Sequence, residues 1–180
     1  MAVPAVAEAA PPGPDFAPVI CERGHQSARF VSKVKSNVIT HKKKVSIADG
    51  MTGSKSITTT VERSVSASVT FNQSTQISAS VVIASLEGAI GLELASNLSQ
   101  TSTNSQTFNM NFNKPGTYIV FDGVEKASGA WTGSKCNSNG TALVPVSGKA
   151  TSWAIGHEGS INCASNYRAG SMQAKAKEYC

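Results

Sequence analysis

Apolar and polar residues alternate over an unusually long central stretch of the chain. From residue 57 to residue 83 the odd-numbered positions are mostly apolar, whereas the even-numbered positions from Ser64 to Ser80 carry hydroxyl or amide side chains. A similar alternation follows at the even-numbered positions from Leu92 to Phe112. A period of two residues is typical of strands with one buried face, so we predict a long hairpin over residues 64–113. Its apolar tip contains Leu86, Ala89, Ile90 and Leu92.

The middle of the same segment also allows a helical interpretation. Gly88 and Gly91 would each disfavour a helix by about 1 kcal/mol. Five apolar residues nevertheless follow one another at the i, i+4 spacing of an amphipathic helix: Val82, Leu86, Ile90, Leu94 and Leu98. The sequence leaves both interpretations open.

Shorter strands are predicted on both sides of the central segment, since β-branched runs there are separated by turn residues. The predicted strands are 29–35, 37–48, 117–121, a short strand around Trp131, 141–146 and 151–155, with Pro145 marking a sheet edge. The predicted turns are 49–50, 122–123, 137–140 and 156–159, and residues 171–179 are predicted to form one or two helical turns. The expected fold class is all-β: an elongated antiparallel sandwich with long strands, a long central hairpin and disulfide bonds.

Composition and charge narrow the possible classes of protein. The chain has 180 residues, of which only 15% are charged, and it contains 25 Ser and 14 Thr. That length suits a single domain, and so many short hydroxyl side chains disfavour a helical bundle because they compete for backbone hydrogen bonds. The net charge is +5, yet residues 64–113 contain only Glu87 and Glu93 and no Lys or Arg. A strand in water normally carries charges that discourage edge-to-edge pairing, so this segment is the unusual part of the chain.

Four cysteines predict two disulfide bonds and an oxidising compartment. Cys21, Cys136, Cys163 and Cys180 allow three pairings, and none of them forms a Cys-x-x-Cys motif. We favour Cys136–Cys163 as a local clasp and Cys21–Cys180 as a tie between the two ends of the domain. The expected localisation is secreted and extracellular.

Residues 1–20 are predicted to form an extended arm ahead of a single β domain over residues 21–180. Small residues at Ala5, Ala7 and Ala9 resemble the end of a secretion signal. The prolines farther along favour an extended conformation, which suits an arm that docks a partner. The candidate partner-binding residues are Pro11, Pro12, Pro14, Phe16 and Pro18. A floppy linker is the alternative interpretation.

The central segment resembles aerolysin-like and epsilon-toxin-like β-pore-forming proteins. The resemblance covers residues 55–125 and is carried by the Ser/Thr-rich runs 64–80 and 99–108, the apolar turn between them, and the run Lys114-Pro-Gly-Thr-Tyr. In that family a Ser/Thr-rich hairpin lies on a long-stranded β body and is released on oligomerisation to form a membrane barrel. The plan is also similar to the small adaptor subunits of actinobacterial umbrella toxin particles. The alternative is that the segment builds a stable sandwich, with Ser and Thr on its wet face.

No catalytic motif stands out, so we expect a protein that is not an enzyme and needs no cofactor or metal. The pair His157-Glu158 lies in a Gly-flanked stretch, and His25 and His41 are expected to face solvent. Lys42, Lys43 and Lys44 form a candidate basic patch for an anionic lipid or an acidic partner. No aromatic residue is interleaved with this run, so a nucleic-acid partner is not expected.

Three functional hypotheses follow from these features. The first is a secreted, non-enzymatic toxin component that acts by assembling with other protein subunits, as a homo- or hetero-oligomer, and by inserting its hairpin into a membrane surface. The second is an adaptor subunit of a secreted toxin complex that docks a partner through the N-terminal arm. The third is a carbohydrate-binding β-sandwich that uses Trp131 and Trp153.

Overall fold

The strands of this protein form an open antiparallel sheet, against which two short helices pack. The computed structural model describes residues 20–71, 77–95, 105–154 and 156–180. The strands are β1 (Gln26–Phe30), β2 (Val34–Ile47), β3 (Gly53–Val61), β4 (Ser68–Phe71), β5 (Ser105–Phe112), β6 (Gly116–Cys136), β7 (Leu143–Trp153) and β8 (His157–Asn162). The helices are α1 (Ala79–Ile90) and α2 (Met172–Lys177). The predicted all-β, antiparallel, disulfide-bonded fold class is therefore confirmed.

β6 is the strand around which the sheet is organised. It is 21 residues long. One of its edges pairs with β2 and then with β1, and the other edge pairs with β8 and then with β7. The main path through the sheet runs β4-β7-β6-β2-β3-β5, so β4 and β5 are its outer strands within the described part of the chain.

The length of β6 corrects two predictions. The sequence predicts one strand over 117–121 and another around Trp131, because the Asp122-Gly123 pair is typical of a turn. In the structure Gly123 continues the strand, and a Cβ atom there would lie 2.6 Å from Met172 Sδ and 2.9 Å from the carbonyl oxygen of Val38. This glycine therefore allows close packing and forms no turn.

The turn predicted at 156–159 is also wrong, since β8 begins at His157.

Other turns and the C-terminal helix agree with the sequence. Residues 137–140 form the turn between β6 and β7, where Gly140 adopts a φ of 75°. Helix α2 occupies six residues of the predicted range 171–179, and the Ser171 hydroxyl accepts a hydrogen bond from the backbone N–H of Ala174 at its first turn. Pro145 lies on β7 outside the part that pairs with β4, as expected for a residue at a sheet edge.

The two faces of β6 carry separate parts of the core. Its odd-numbered side chains share one face, since side chains alternate along a strand. On this face Ile119 and Phe121 pack against α2, while Ala127 and Trp131 pack against α1 and its flanking residues. On the opposite face, Val120 packs with residues of β2, β3 and β5. The ribbon formed by β3 and β5 therefore folds over the sheet and makes this end sandwich-like.

The central segment is built differently from one long hairpin. Within the described residues, β4 pairs with β7 and β5 pairs with β3, and no pairing joins β4 to β5. The alternation itself is confirmed, because Val65 and Ala67 are buried while Ser64, Ser66 and Ser68 are exposed. Among the described residues, each arm contributes one strand, β4 and β5 respectively, and each strand pairs with a different neighbour.

Helix α1 occupies the position of the predicted tip, which confirms the helical interpretation for residues 79–90. Val82 and Leu86, four residues apart, are completely buried. The helix ends at Gly91, whose φ of 70° is left-handed and whose N–H donates to the Glu87 carbonyl oxygen at 2.8 Å. The helical spacing of the apolar residues therefore prevails over the period of two in this part of the segment.

The disulfide bonds join Cys21 to Cys136 and Cys163 to Cys180. The predicted involvement of all four cysteines is confirmed, but the favoured pairing of Cys136 with Cys163 and of Cys21 with Cys180 is wrong. Cys136 is the last residue of β6, and the N–H of Cys136 donates to the His25 carbonyl just before β1. The pairing of β1 with the end of β6 therefore brings Cys21, rather than Cys163, close to Cys136.

We predict that the two disulfides contribute unequally to stability. The Cys21–Cys136 bond spans 115 residues and the Cys163–Cys180 bond spans 17. Since a longer closed loop restricts the unfolded chain more, Cys21→Ser/Cys136→Ser should cost about 4–5 kcal/mol and Cys163→Ser/Cys180→Ser about 3 kcal/mol. Urea unfolding followed by circular dichroism would measure both values. A larger loss for the second pair would contradict the prediction.

Candidate functional site

The described part of the central segment that precedes β5 is joined to the sheet by few main-chain contacts. β4 pairs with β7 over four residues, from Ser68 to Phe71. At the far side of α1, Leu94 forms an isolated bridge with Ala154. Next to it, the N–H of Ala95 donates to the Trp153 carbonyl at 2.8 Å. By comparison, β2 is paired with β6 over thirteen positions. Within the described residues, the part of the charge-poor segment that precedes β5 is therefore attached much more sparsely than the strands at the centre of the sheet, whereas β5 itself pairs with β3 over eight residues.

The main chain of β1 and a side chain from the loop after it hold α1 in place. The Ser85 hydroxyl donates to the Ala28 carbonyl at 2.9 Å, and Lys33 Nζ donates to the Ala89 carbonyl. These polar contacts lie beside the buried apolar face of the helix.

The four tip residues do not form an exposed apolar loop. Leu86 is fully buried, whereas Ala89, Ile90 and Leu92 are half-buried against the sheet. Insertion of all four residues into a membrane would therefore require α1 to leave the sheet.

The predicted basic patch is divided between the two faces of β2. Lys42 Nζ lies 2.9 Å from Glu62 Oε2 and 3.7 Å from the centre of the Tyr179 ring. Lys44 Nζ donates to the Cys180 carbonyl. Lys43 is exposed and points to the other face, as strand alternation requires. Two of the three lysines therefore bind the C-terminal residues of this chain, and the three do not form a continuous cationic surface.

The candidate arm residues Pro11, Pro12, Pro14, Phe16 and Pro18 lie outside the described residues. The described chain starts at Ile20, and the N–H groups of Ile20 and Cys21 both donate to the Gly140 carbonyl, at 2.7 and 3.1 Å. The Cys21–Cys136 disulfide reinforces this attachment. The side chains of Ile20 and Leu143 are 64% and 50% exposed. The beginning of the domain is thus fixed to the β6–β7 turn and bears two exposed apolar side chains.

His41 is buried, which corrects the expectation that it faces solvent. It is 2% exposed, and its Nδ1 atom lies 3.4 Å from Asp122 Oδ2 and 3.1 Å from Thr40 Oγ1. The register between β2 and β6 shifts here, so Thr40 is the extra residue of a β-bulge. Its carbonyl accepts the N–H groups of Glu62 and Arg63 at 2.7 and 3.2 Å.

This polar cluster has a structural explanation, since it joins the end of β3 to β2 beside β6. Sequence reasoning missed it because Thr40 and Asp122 are distant in the chain. The alternation of β2 was the one available signal, since a bulge interrupts that alternation.

The other polar groups considered in the sequence are scattered over the described surface. His157 and Glu158 are exposed at the start of β8. A shallow cleft of about 550 Å³ lies between β2, β6 and α2 and is lined by both acidic and basic side chains, including Lys35, Glu125 and Lys175. Within the described part of the chain, no three His, Cys, Asp or Glu side chains come together as a metal site.

The two tryptophans of the carbohydrate-binding hypothesis lie in the core. Trp131 is 1% exposed and Trp153 is 4% exposed. Phe71 lies edge-on to Trp131, with 6.3 Å between the ring centres. Neither indole presents a free face on which a sugar ring could stack, so we do not pursue this hypothesis.

The fold and the contacts described above are the basis for a functional proposal. No protein-family model, curated protein or solved structure matches this chain. Among the residues that the structure describes, neither helix is long and apolar enough to span a membrane.

We predict that Gly148→Ala weakens the attachment of β4. A Cβ atom at Gly148 would lie 2.1 Å from the Thr70 carbonyl oxygen, a backbone atom of the opposing strand. The clash should cost about 1–3 kcal/mol and should accelerate proteolysis within residues 64–104. Limited proteolysis with mass spectrometry would locate the cleavage.

Gly88→Ala is the matched control, because no atom lies within 4 Å of a Cβ at this helical position. It should stabilise the protein by about 0.5–1 kcal/mol and slow the same cleavage. Equal cleavage rates for the two variants would contradict the sparse attachment of this segment.

Proposed function

We propose that this protein is a secreted, non-enzymatic toxin component that assembles with other protein subunits and inserts its central segment into a membrane. The observation that carries the proposal is the combination of two properties in residues 64–113. The segment has two charged residues, Glu87 and Glu93, and β5 at its end pairs with β3 over eight residues. The described residues ahead of β5 are fastened to the sheet only by the β4–β7 ladder, the Leu94 bridge and its neighbouring hydrogen bond, and the contacts of α1. In the mechanism that the resemblance implies, the segment leaves the sheet and enters a membrane, which needs both a weak attachment and a low charge.

The low charge supports insertion because a charged side chain is costly inside a bilayer. A membrane-spanning strand needs only about 9–11 residues of alternating character, and both arms of the segment exceed that length. In the described parts of the arms, one face is apolar and the other carries Ser, Thr and Asn. Alternating strands of this kind suit the wall of a membrane barrel, with hydroxyl and amide groups facing the water inside.

The packing of α1 supports a release step before insertion. Its apolar residues cover Trp131 and Ala127 on the sheet, so they are shielded from water in the folded protein. A segment that is sparsely hydrogen-bonded belongs to the low-stability part of a protein and opens before the central strands do. The disulfides lie elsewhere, since all four cysteines are outside residues 64–113. Release of the segment therefore requires no disulfide to break.

We predict that a covalent lock between β4 and β7 abolishes membrane permeabilisation. Thr70 and Lys149 are exposed and lie opposite each other across the two strands. The Cα atoms of directly opposed residues in an antiparallel pair lie about 4.5–5.5 Å apart, which suits a disulfide bond. Oxidised Thr70→Cys/Lys149→Cys should therefore lose dye release from liposomes, whereas the wild-type protein releases dye.

The matched control is Arg29→Cys/Thr132→Cys, which joins two exposed, directly opposed residues of β1 and β6 and leaves β4 unlocked. It should release dye like the wild-type protein, and peptide mapping would verify the native and engineered disulfides in each sample. Dye release by the locked variant at the wild-type rate would contradict insertion of this segment. Silence of the wild-type protein at micromolar concentration, with and without acidic lipid, would contradict permeabilisation altogether.

A second candidate function is that of an adaptor subunit which docks a partner through its N-terminal arm. It is favoured by the rigid base from which the arm departs: the Cys21–Cys136 disulfide and two hydrogen bonds to the Gly140 carbonyl. Ile20 and Leu143 place two exposed apolar side chains near that base. A fixed base lowers the entropy that an extended segment loses on binding.

We predict that deletion of residues 2–19 abolishes co-purification of partner subunits from the secreting culture, while the β domain keeps its melting temperature. Native mass spectrometry of the purified material would give the stoichiometry of each complex. Replacing Pro11 and Pro12 by Ala provides a milder variant that retains the length of the arm. Unchanged recovery of the same partners after the deletion would contradict the adaptor function.

A further inference from the structure

The outer edge of β5 is an exposed strand edge without the usual protection. β5 pairs with β3 over eight residues, from Ser105 opposite Thr60 to Phe112 opposite Gly53, with no register shift. On its other side no described strand pairs with it. Natural edge strands are normally short, bulged, or marked by Lys or Pro, because free N–H and C=O groups invite another strand. β5 has eight residues and contains no charged residue and no Pro.

The two faces of β5 show what kind of partner this edge needs. Phe108 and Phe112 are buried against β2, β3 and β6. The opposite face is exposed and polar; there Thr107 Oγ1 lies 3.0 Å from Thr58 Oγ1, and the Ser54 hydroxyl donates to Asn111 Oδ1. Apart from Gln106 Oε1, which is buried without a hydrogen-bond partner, the side chains of both faces are packed or solvated, whereas the main-chain groups of the outer edge have no neighbour within the described residues. The edge fits an extended strand rather than an apolar surface.

We propose that the strand which completes this edge is β5 of a second copy, paired antiparallel about a two-fold axis. With Phe108 opposite Phe108 of the second copy, Thr107 lies opposite Asn109 and Ser105 lies opposite Asn111. Every pair joins residues of the same face, and each polar pair matches a hydroxyl with an amide, which is favourable across antiparallel strands. A two-fold contact of identical patches is also the commonest form of protein oligomer.

The charge distribution favours a second copy over a strongly charged partner. Each chain carries a net charge of +5, so two copies repel unless their contact avoids the basic residues. The residues of β5 are uncharged; the basic residues near it are Lys114 beyond its end and Lys55 on β3, opposite Met110. An uncharged strand therefore avoids placing charge against charge in the pairing itself, which a strand rich in Lys would not.

The test uses two variants that differ only in the sign of one charge. Thr107→Lys/Asn109→Lys places like charges opposite each other twice across the two-fold axis, whereas Thr107→Lys/Asn109→Glu places opposite charges there. Both variants lose the same hydroxyl contact with Thr58, so any common effect on folding cancels. Sedimentation equilibrium and native mass spectrometry from micromolar to millimolar concentration would report the dimer dissociation constant.

We expect a wild-type dimer whose dissociation constant rises about tenfold or more in the Lys/Lys variant and stays near the wild-type value in the Lys/Glu variant. A wild-type protein that remains monomeric over the whole range would overturn the proposal, as would a ring or an equal effect of both variants. The inference rests on the assembly part of the proposed function and not on membrane insertion. A dimer without dye release would therefore support the inference and contradict insertion, and dye release from a monomer would do the reverse.

Discussion

The structure depends on the need to pair both edges of one very long strand. β6 contributes 21 residues, and an unpaired main-chain group in a buried strand is costly. Since no single neighbour covers that length, β2 and β1 share one edge, and β8 and β7 share the other. The close approach of β1 requires glycine, because a Cβ at Gly133 would lie 1.9 Å from the Ser27 carbonyl oxygen. The remaining elements attach to this central frame: β4 to β7, β3 to β2, and one helix to each half.

The sequence predicted the alternating strands well and the central strand poorly, for related physical reasons. The alternation of apolar and polar residues at 57–71 and 105–112 is visible in the sequence because one face of these stretches is exposed to solvent. β6 is covered on both faces over much of its length, so alternation is weak there, and its glycines look like turn signals although they permit close contact between strands. The disulfide pairing failed for the same reason, since it depends on β1 lying beside the end of β6, a long-range pairing that neighbouring residues do not indicate.

The position of the candidate segment along the chain could be predicted from the sequence, but the contacts of its side chains and of the basic residues could not. The absence of Lys and Arg from residues 64–113 is a property of the sequence alone, and it correctly singles out the segment that contains both outer strands of the main sheet path. The contacts of Lys42 and Lys44 with Tyr179 and Cys180 were not predictable, because they bring together residues more than a hundred positions apart. The burial of His41 depends on a bulge whose existence only the pairing of β2 with β6 reveals.

One physical property, low charge, connects membrane insertion with self-assembly. Charges on an outer strand prevent unwanted pairing but oppose entry into a bilayer, so a segment cannot easily satisfy both demands. Here β4 and β5, the strands at the two ends of the sheet path, both belong to the charge-poor segment. All Lys and Arg residues of the chain lie outside residues 64–113. An uncharged strand edge that suits the proposed insertion is also free to pair with another strand in water. In the proposed scheme, pairing of β5 between two copies covers that edge until the segment is released, so that the same low charge serves both proposed steps.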